Sequence, residues 1–308
     1  MTPNDFRVVD AAAAGIEALC DGFNSGFRDY KYASYFDPPG MTRFLERSAM
    51  RLEDCAVMLA QEAGAWKGVG AALLAVEDGE AWCGGLAVDA AQRRQGGAKA
   101  LMQALHSRAC SRGAATMWLE VLVHNAPARS LYRGLGYQKR RDLFLWERPA
   151  SPGNLPSATV DIQPADALDL IENCYEWHNT SLSWQRRRAA LMRAYSLMDA
   201  LVLEDVAGQA VGYILYHHNR GVGRSGSGRS GSGRSGEESV HIFDMAVAPS
   251  ARSEEHADLL ATGIVVQFPD AKIALINEPK GSILNPLLAN IGFQVADRQF
   301  ELSLDLSG

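Results

Sequence analysis

A short apolar strand that leads through a basic, glycine-containing turn into a helix constrains this chain more than any other feature. The apolar residues lie at 84–88, the turn reads RRQGGA at 93–98, and an amphipathic run follows at 99–112. Such a turn brings unpaired backbone N–H groups and the positive end of the helix dipole to one point, which suits a pyrophosphate. The two glycines lack Cβ atoms, so a ligand can approach the backbone closely, and the two arginines add positive charge.

A second strand and helix follow further along the chain. Residues 117–123 read MWLEVLV, and their apolar and β-branched side chains predict a strand. Just after it, Asn125 can cap a helix, Pro127 suits the first helical turn, and Gly136 can end that helix. The sequence therefore predicts two strand–turn–helix segments, of which the first offers an anion-binding turn.

These two segments together resemble the acyl-CoA binding core of the GNAT superfamily of N-acyltransferases. The resemblance implies an α/β (α+β) fold with a central mixed, mostly antiparallel twisted sheet flanked by helices, and acetyl-CoA as cosubstrate. The first motif alone leaves a second interpretation open, a glycine turn that merely closes a strand–helix corner. The positions that carry the resemblance are Arg93, Gly96 and Ala98, followed by Asn125, Ala128, Leu131, Tyr132, Gly136 and Tyr137.

The same resemblance implies catalytic roles for two side chains. In GNAT enzymes with a Leu-Glu-Val strand, the glutamate acts as general base, and it corresponds to Glu120 here. A tyrosine protonates the departing sulfur in these enzymes, and it corresponds to Tyr132. The alternatives are a strand-end salt bridge for Glu120 and a packed core ring for Tyr132, and His124 could replace Glu120 as base.

The resemblance also implies which residues bind the cosubstrate. The backbone of the first strand would pair with the pantetheine arm as an added strand, and the turn would hold the phosphates. Asn125 would bond the arm, cap its own helix, or do both. The implied binding residues are Leu86, Ala87, Val88, Arg93, Arg94, Gln95, Gly96, Gly97, Ala98, Lys99, Asn125, Ala128 and Tyr132.

An aromatic segment between the first predicted strand and the next hairpin is the candidate acceptor side. In proteins that resemble this family, the corresponding segment lines the acceptor cleft, so the substrate candidates are Phe27, Asp29 and Tyr30. Alternatively, Phe23, Phe27 and Tyr30 have helical spacing and form the buried face of a helix. The implied acceptor is a small-molecule amine or a peptide N-terminus.

Composition argues against several other classes of protein. At 308 residues and 47% hydrophobic, the chain is long enough for two domains. No apolar run approaches the about twenty residues of a membrane helix, and a net charge of −6 argues against binding nucleic acid. The five cysteines are scattered without a Cys-x-x-Cys pair, which predicts reduced core residues, no disulfide framework and no metal site. We expect a cytoplasmic monomer or homodimer.

The second half of the chain resembles a degenerate copy of the first. Residues 149–157 have linker composition, so we predict a catalytic domain at 1–148 and a GNAT-like domain at 158–308. A repeat of Arg, Ser and Gly predicts a flexible low-complexity loop at 221–236.

An alignment of Val88 with Val247 shows what the second copy lacks. It places Glu255, with a side chain and a negative charge, at the position of the glycine in the phosphate turn. A separate match of residues 287–293 with 131–137 puts Leu288 at the tyrosine position, and leucine has no proton to donate. The second copy is therefore expected to keep the fold and to bind CoA poorly or not at all.

The sequence thus predicts an acetyl-CoA-dependent N-acetyltransferase that transfers an acetyl group to a primary amine by direct attack. Its active site is expected in the N-terminal domain. One alternative is a non-catalytic CoA-binding or interaction module. Another is a tandem acetyltransferase similar to mycothiol synthase, in which the C-terminal copy is catalytic, the opposite of the asymmetry predicted here.

Overall fold

The computed structural model describes residues 6–32, 35–62, 64–150, 162–221, 237–252 and 254–307. The described chain divides into two compact units. The first contains the residues up to Arg140 and again those from Leu302 onward, and the second lies between Arg141 and Glu301. Most of the predicted linker at 149–157 and of the predicted loop at 221–236 lies outside the described residues, so both remain predictions.

The first unit alternates short helices with the strands of one sheet. Its helices and strands are β1 (Phe6–Asp10), α1 (Ala11–Ala14), α2 (Ile16–Phe27), α3 (Pro38–Arg47), β2 (Ala56–Glu62), β3 (Ala65–Glu77), β4 (Glu80–Val88), α4 (Gly97–Ser111), β5 (Thr116–Leu122) and α5 (Ala126–Gly134). The sheet runs in the order β1-β2-β3-β4-β5, with antiparallel neighbours except for parallel β4 and β5. A parallel pair needs a crossover, and α4 supplies it.

The backbone of helix α2 lies directly against the backbone of the sheet, because both surfaces contain glycine. A Cβ added to Gly22 would lie 2.4 Å from the Gly70 carbonyl oxygen, and one added to Gly26 would lie 2.6 Å from the Val88 nitrogen. On α4, the side chains of Leu101, Met102, Leu105 and Ala109 are buried at helical spacing. The two helices fix the end of β4.

The second unit repeats this order of elements. Its helices and strands are β6 (Gln138–Arg148), β7 (Ile162–Ala165), α6 (Ala167–Cys174), α7 (Arg188–Ala194), β8 (Asp199–Glu204), β9 (Ala210–Asn219), β10 (Ser239–Val247), α8 (Glu254–Gln267), β11 (Lys272–Pro279), α9 (Leu284–Asn290) and β12 (Gln294–Asp305). The sheet order is β6-β11-β10-β9-β8-β7, and the parallel pair is β10 and β11.

Two strands change unit along their length. Residues 141–148 of β6 belong to the second unit, where Leu143 to Arg148 pair with β11. The end of β12 belongs to the first unit, and just beyond it the Leu306 nitrogen donates to the Ala115 carbonyl at 2.8 Å. Strand pairing therefore separates the units between residues 140 and 141 and between residues 301 and 302. The sequence predicts the domain boundary at the linker, residues 149–157.

Each unit is a mixed α/β structure with a mostly antiparallel sheet flanked by helices, which confirms the predicted fold class. In the second unit, buried side chains form one cluster that includes α8 and α9 and another that includes α6 and α7. No helix among the described residues is long and apolar enough to cross a bilayer.

The cysteines are free thiols. Four of them are buried as predicted, but Cys110 is exposed on α4, so the prediction of a core residue is wrong at that position. Within the described part of the chain, no group of three or more His, Cys, Asp or Glu side chains could hold a metal ion.

Candidate active site in the first unit

The parallel strands β4 and β5 separate partway along their length. Their pairing runs from Glu80–Thr116 to Trp82–Trp118, whereas β4 continues to Val88 and β5 to Leu122. Next to the last pair, β4 has a bulge at Gly84, where the register with β3 shifts by one residue. Bulges bend a strand and increase its twist, so β4 turns away from β5 and leaves an opening between the two strand ends.

The backbone of β4 faces this opening at alternate residues. The Asp89 nitrogen donates to the Val69 carbonyl at 2.8 Å, so Asp89 faces β3. Hydrogen-bonding residues alternate along an antiparallel strand, and Ala87, two residues earlier, therefore also bonds to β3. Leu86 and Val88 then direct their N–H and C=O groups toward the opening. An extended ligand could pair with them as an added strand.

The N-terminus of α4 closes one end of the opening. Gly96 is its N-cap residue at φ 90°, a conformation that favours glycine, and no side chain caps the first turn. A Cβ on Gly97 would lie 2.4 Å from the Met58 sulfur, so glycine lets the first turn approach β2. The N–H groups of the first turn and the helix dipole together suit an anion, and the predicted binding of a pyrophosphate there stays a prediction.

Arg93 is held in place by two backbone carbonyls. Its Nε donates to Val88 O at 3.0 Å and its Nη2 to Gly26 O at 3.2 Å. These bonds connect the turn to β4 and α2, so the charge of Arg93 has a fixed position. Arg94 and Lys99 are exposed on either side of Gly96 and can reach an anion there.

The proposed base, Glu120, lies on β5 just beyond the last paired residue. Its Oε2 accepts a hydrogen bond of 2.8 Å from the Trp82 indole nitrogen. A matching bond of 2.7 Å runs the other way across the strands, from the Trp118 indole to Glu80 Oε1. Neither bond can be predicted from the sequence, because each joins residues that are 38 positions apart in the chain.

The proposed acid, Tyr132, lies on α5 and is buried. Burial raises the pKa of Tyr132 well above its usual range, and the nearby Cys83, Tyr30 and Glu120 raise it further. The phenol is therefore neutral and can donate its proton. Its ring also packs on Tyr137 with centroids 5.7 Å apart, so the core role and the proposed catalytic role are compatible.

Two other predicted positions have clear local contacts. Asn125 caps α5, with its Oδ1 accepting from the Ala128 nitrogen at 3.3 Å. Cys83 is buried, and burial raises the pKa of its thiol to about 12, so it is a neutral core thiol rather than a nucleophile.

A row of aromatic rings leads away from the bulge. A Cβ on Gly85 would lie 2.9 Å from the Phe23 ring. The Phe23 and Phe27 centroids are 4.5 Å apart, and those of Phe27 and Tyr30 are 5.3 Å apart. Phe23 is buried, Phe27 and Tyr30 are half-buried, and Asp29 is exposed. Phe23 and Phe27 lie on α2 and Tyr30 lies beyond its end, so the helical interpretation holds only for the first two rings, and the acceptor-side role stays a prediction.

The second unit has a corresponding opening. Pairing of β10 and β11 ends at Ile242–Leu275, and β10 has a bulge at Phe243. Asp244 follows that bulge, as Gly85 follows the bulge in the first unit. Because Leu288 is fully buried, the position that matches Tyr132 is an apolar core residue there.

A buried ion bridge crosses this second opening. Arg186 Nη2 donates to Asp244 Oδ1 on β10 at 2.8 Å, and its Nη1 donates to Glu278 Oε2 on β11. The other oxygen of Asp244 accepts from Tyr213 Oη at 2.7 Å and from His178 Nε2 at 2.9 Å. Arg186 thus occupies the space between the strand ends that is open in the first unit.

The position of Glu255 differs from the one that the sequence alignment predicts. Helix α8 begins at Glu254, so Glu255 falls in the first helical turn and not at a cap position equivalent to Gly96. The sequence alignment did not identify Arg186 as the residue between the strands, because it lies in an irregular segment outside the aligned motifs.

Comparisons with known proteins agree with this architecture. Residues 17–137 match the Acetyltransferase (GNAT) family. The [Ribosomal protein bS18]-alanine N-acetyltransferase of Escherichia coli strain K12 is 44% identical over 54 residues, which is 18% of this chain and 36% of that protein. The match thus spans only about a third of that relative's length.

Solved structures match nearly the whole chain at low sequence identity. A tandem GNAT protein from the clavulanic acid biosynthesis pathway has a TM-score of 0.67 at 14% identity, covering 98% of this chain and 99% of that one. A GCN5-related N-acetyltransferase from Sphaerobacter thermophilus has a TM-score of 0.65 at 14% identity, with 99% and 97% covered. The first unit therefore matches the GNAT family, and the chain as a whole has the fold of a tandem GNAT protein.

Proposed function

We propose that the protein is an acetyl-CoA-dependent N-acetyltransferase that acts on a primary amine, with its active site in the first unit. The observation that carries this proposal is the open edge of β4, which leads to the uncapped N-terminus of α4 and has Glu120 and Tyr132 beside it. Family membership supports the reaction class.

The residues of the first unit suit acetyl-CoA as the donor substrate. Leu86 and Val88 would pair with the extended pantetheine arm, and Asn125 is half-buried in the turn that follows the facing strand. The N–H groups from Gly97 to Lys99 would bind the pyrophosphate, helped by the charge of Arg94. When bound, this donor supplies an acetyl group that is activated as a thioester.

The amine must lose a proton before it can attack. At pH 7 this costs about 4.6 kcal/mol for a lysine-type amine of pKa ~10.4 and about 1.4 kcal/mol for an α-amine of pKa ~8. Glu120 would accept that proton, directly or through a water molecule. Tyr132 would donate its phenolic proton to the departing sulfur. The attached nitrogen loses its second proton to solvent as the tetrahedral intermediate collapses. Overall a C–N bond forms, the C–S bond breaks, one proton is released to solvent, and solvent returns the other proton from Glu120 to Tyr132.

The side chains near the opening support a proposal for the kind of amine that accepts the acetyl group. The rings of Phe27 and Tyr30 and the exposed carboxylate of Asp29 lie on the side of the bulge where an amine would enter. The name of the partial relative states an alanine of a ribosomal protein as its acceptor. We therefore favour a peptide N-terminus or a small-molecule α-amine, which also requires less help from the base.

The ion bridge of Arg186 supports placing the site in the first unit alone. A pantetheine arm in the second opening would have to displace a guanidinium that is buried between two carboxylates. Breaking a buried ion pair of this kind typically costs about 3–5 kcal/mol. The second unit is thus proposed to keep the fold without binding the donor.

A thiol-release assay tests the proposed activity. The full chain is incubated with acetyl-CoA and a panel of peptide and small-molecule amines, and free CoA is measured together with the acetylated product. We expect amine-dependent release in a one-to-one ratio with the product. Release that needs no amine, or no release with any amine, would favour the non-catalytic alternative.

A further inference from the structure

A pair of tryptophans marks the point where β4 and β5 separate. Trp82 and Trp118 form the last cross-strand pair, and Glu120 lies two residues further along β5 on the same face. The Trp82 ring is 3% exposed. It packs beneath the bulge, since a Cβ on Gly84 would lie 2.7 Å from its Cζ3 atom. This packing fixes the direction of its N–H group.

We infer that Trp82 is a positioning residue, whose indole N–H holds the Glu120 carboxylate at the mouth of the opening and favours its ionised form. The inference rests on the proposed function, in which Glu120 is the base. An indole N–H can only donate, and a hydrogen bond donated to a carboxylate stabilises its charged form. A buried ring also loses little further freedom when it makes this bond, so the carboxylate is held in one orientation.

Two titratable groups near Glu120 are neutral near pH 7. Cys83 on β4 and Tyr132 on α5 both lie close enough for their charges to interact with Glu120. Burial raises the pKa of Cys83 to about 12 and that of Tyr132 well above its usual range, so neither ionises near pH 7. Tyr30 adjoins Tyr132, and His124 follows β5 in the next turn.

The chain supplies a matched control for this bond. Trp118 makes the same indole-to-carboxylate bond from the other strand of the same pair, but its acceptor is Glu80, on the paired side away from the opening. Trp118→Phe therefore removes an equivalent bond at the same point of the sheet without touching the proposed base. Trp82→Phe removes the donor of Glu120, whereas Trp118→Phe removes the donor of Glu80.

Nuclear magnetic resonance of the indole N–H groups tests the bond in the intact protein. The chain has six tryptophans, and the Trp82 signal is the one missing from Trp82→Phe. We expect this signal to shift with pH as Glu120 titrates, and this response to vanish in Glu120→Gln but to persist in Trp118→Phe and in His124→Gln. A Trp82 signal unchanged by Glu120→Gln would overturn the inference. This test does not require the protein to be active. The Trp82→Phe variant is needed only to assign the Trp82 signal, and selective labelling can give that assignment if the variant does not fold.

The pH dependence of turnover tests the consequence. Loss of the donor raises the pKa of Glu120, so the acid limb of the kcat/KM profile in Trp82→Phe should move up by about one pH unit, with about tenfold lower activity on that limb. The acetyl-CoA dissociation constant, measured by calorimetry, should stay within about twofold. Equal shifts in Trp82→Phe and Trp118→Phe would contradict positioning by Trp82. If wild type acetylates no amine, the proposed function fails, while the resonance titration still decides whether Trp82 holds Glu120.

Discussion

Replacing Arg186 by leucine should destabilise the second unit strongly. The guanidinium is 2% exposed and is paired with Asp244 and Glu278, whose side chains are 0% and 1% exposed. Removing one partner of a buried ion pair typically costs about 3–5 kcal/mol, because the remaining charge has no compensation. Two carboxylates lose a partner here, but His178 and Tyr213 still bond Asp244. We therefore expect a loss of about 4 kcal/mol in the free energy of unfolding.

The loss should depend on pH with a definite sign. In wild type, burial acts to raise the pKa of Asp244, but His178 and Arg186 outweigh it and hold that pKa below its usual value. This carboxylate therefore stabilises wild type above the unfolded pKa of about 3.9, and that contribution is lost as the pH falls through the folded value. Without Arg186, burial acts against the charged carboxylate with His178 as its remaining charged partner, so protonation of Asp244 relieves the variant as the pH falls. The loss should be larger at pH 8 than at pH 5.

Urea unfolding at both pH values measures this loss, and hydrogen exchange of β10 and β11 peptides shows whether it lies in the second unit. Arg188→Leu is the matched control, because Arg188 is exposed and its Nη2 donates to the Glu172 carbonyl at 3.2 Å. It should cost less than about 1 kcal/mol. Equal losses in the two variants, or a loss in Arg186→Leu that is the same at pH 5 and pH 8, would refute the reasoning.

Three further outcomes follow from the first unit. Tyr132→Phe should lower kcat by about tenfold or more while the acetyl-CoA dissociation constant is unchanged; unchanged kcat in steady-state kinetics would exclude Tyr132 as the acid. Gly97→Ala should lower stability by about 1–3 kcal/mol, since the new Cβ would lie 2.4 Å from the Met58 sulfur, and thermal unfolding of the double variant with Met58→Ala should show a loss smaller than the sum of the two single losses. Iodoacetamide at pH 8 should label the exposed Cys110 and leave Cys83 unlabelled in the folded protein, because burial raises the pKa of Cys83 to about 12; mass spectrometry distinguishes the two sites.

The parts of the fold that the sequence predicted are those with local causes. A strand rich in β-branched residues, the Asn125 cap and the glycine turn each depend on neighbours in the chain, and the structure has all three. The cap bond from Ala128 to Asn125 joins residues three apart, which is why a pattern can reveal it.

The parts that the sequence did not predict depend on contacts between distant residues. Trp82 and Glu120 meet only because β4 and β5 are paired in one register, and no local pattern fixes that register. Arg186 lies in an irregular segment and joins two different strands, so neither of its partners is visible from its own surroundings. Likewise, residues 141–148 belong to the second unit because they pair with β11, which a linker composition after them does not indicate.

The proposed function requires one donor site per chain, at the N-terminus of α4. Calorimetry of the full chain with acetyl-CoA measures this directly, using Ala98→Asp and a matched change, His256→Asp, at the start of α8. An aspartate in the first turn suits a helix but repels a pyrophosphate, so it should abolish binding without unfolding α4. We expect one site per chain, lost in Ala98→Asp and kept in His256→Asp. Two sites per chain, or a single site that survives Ala98→Asp and is lost in His256→Asp, would contradict the account.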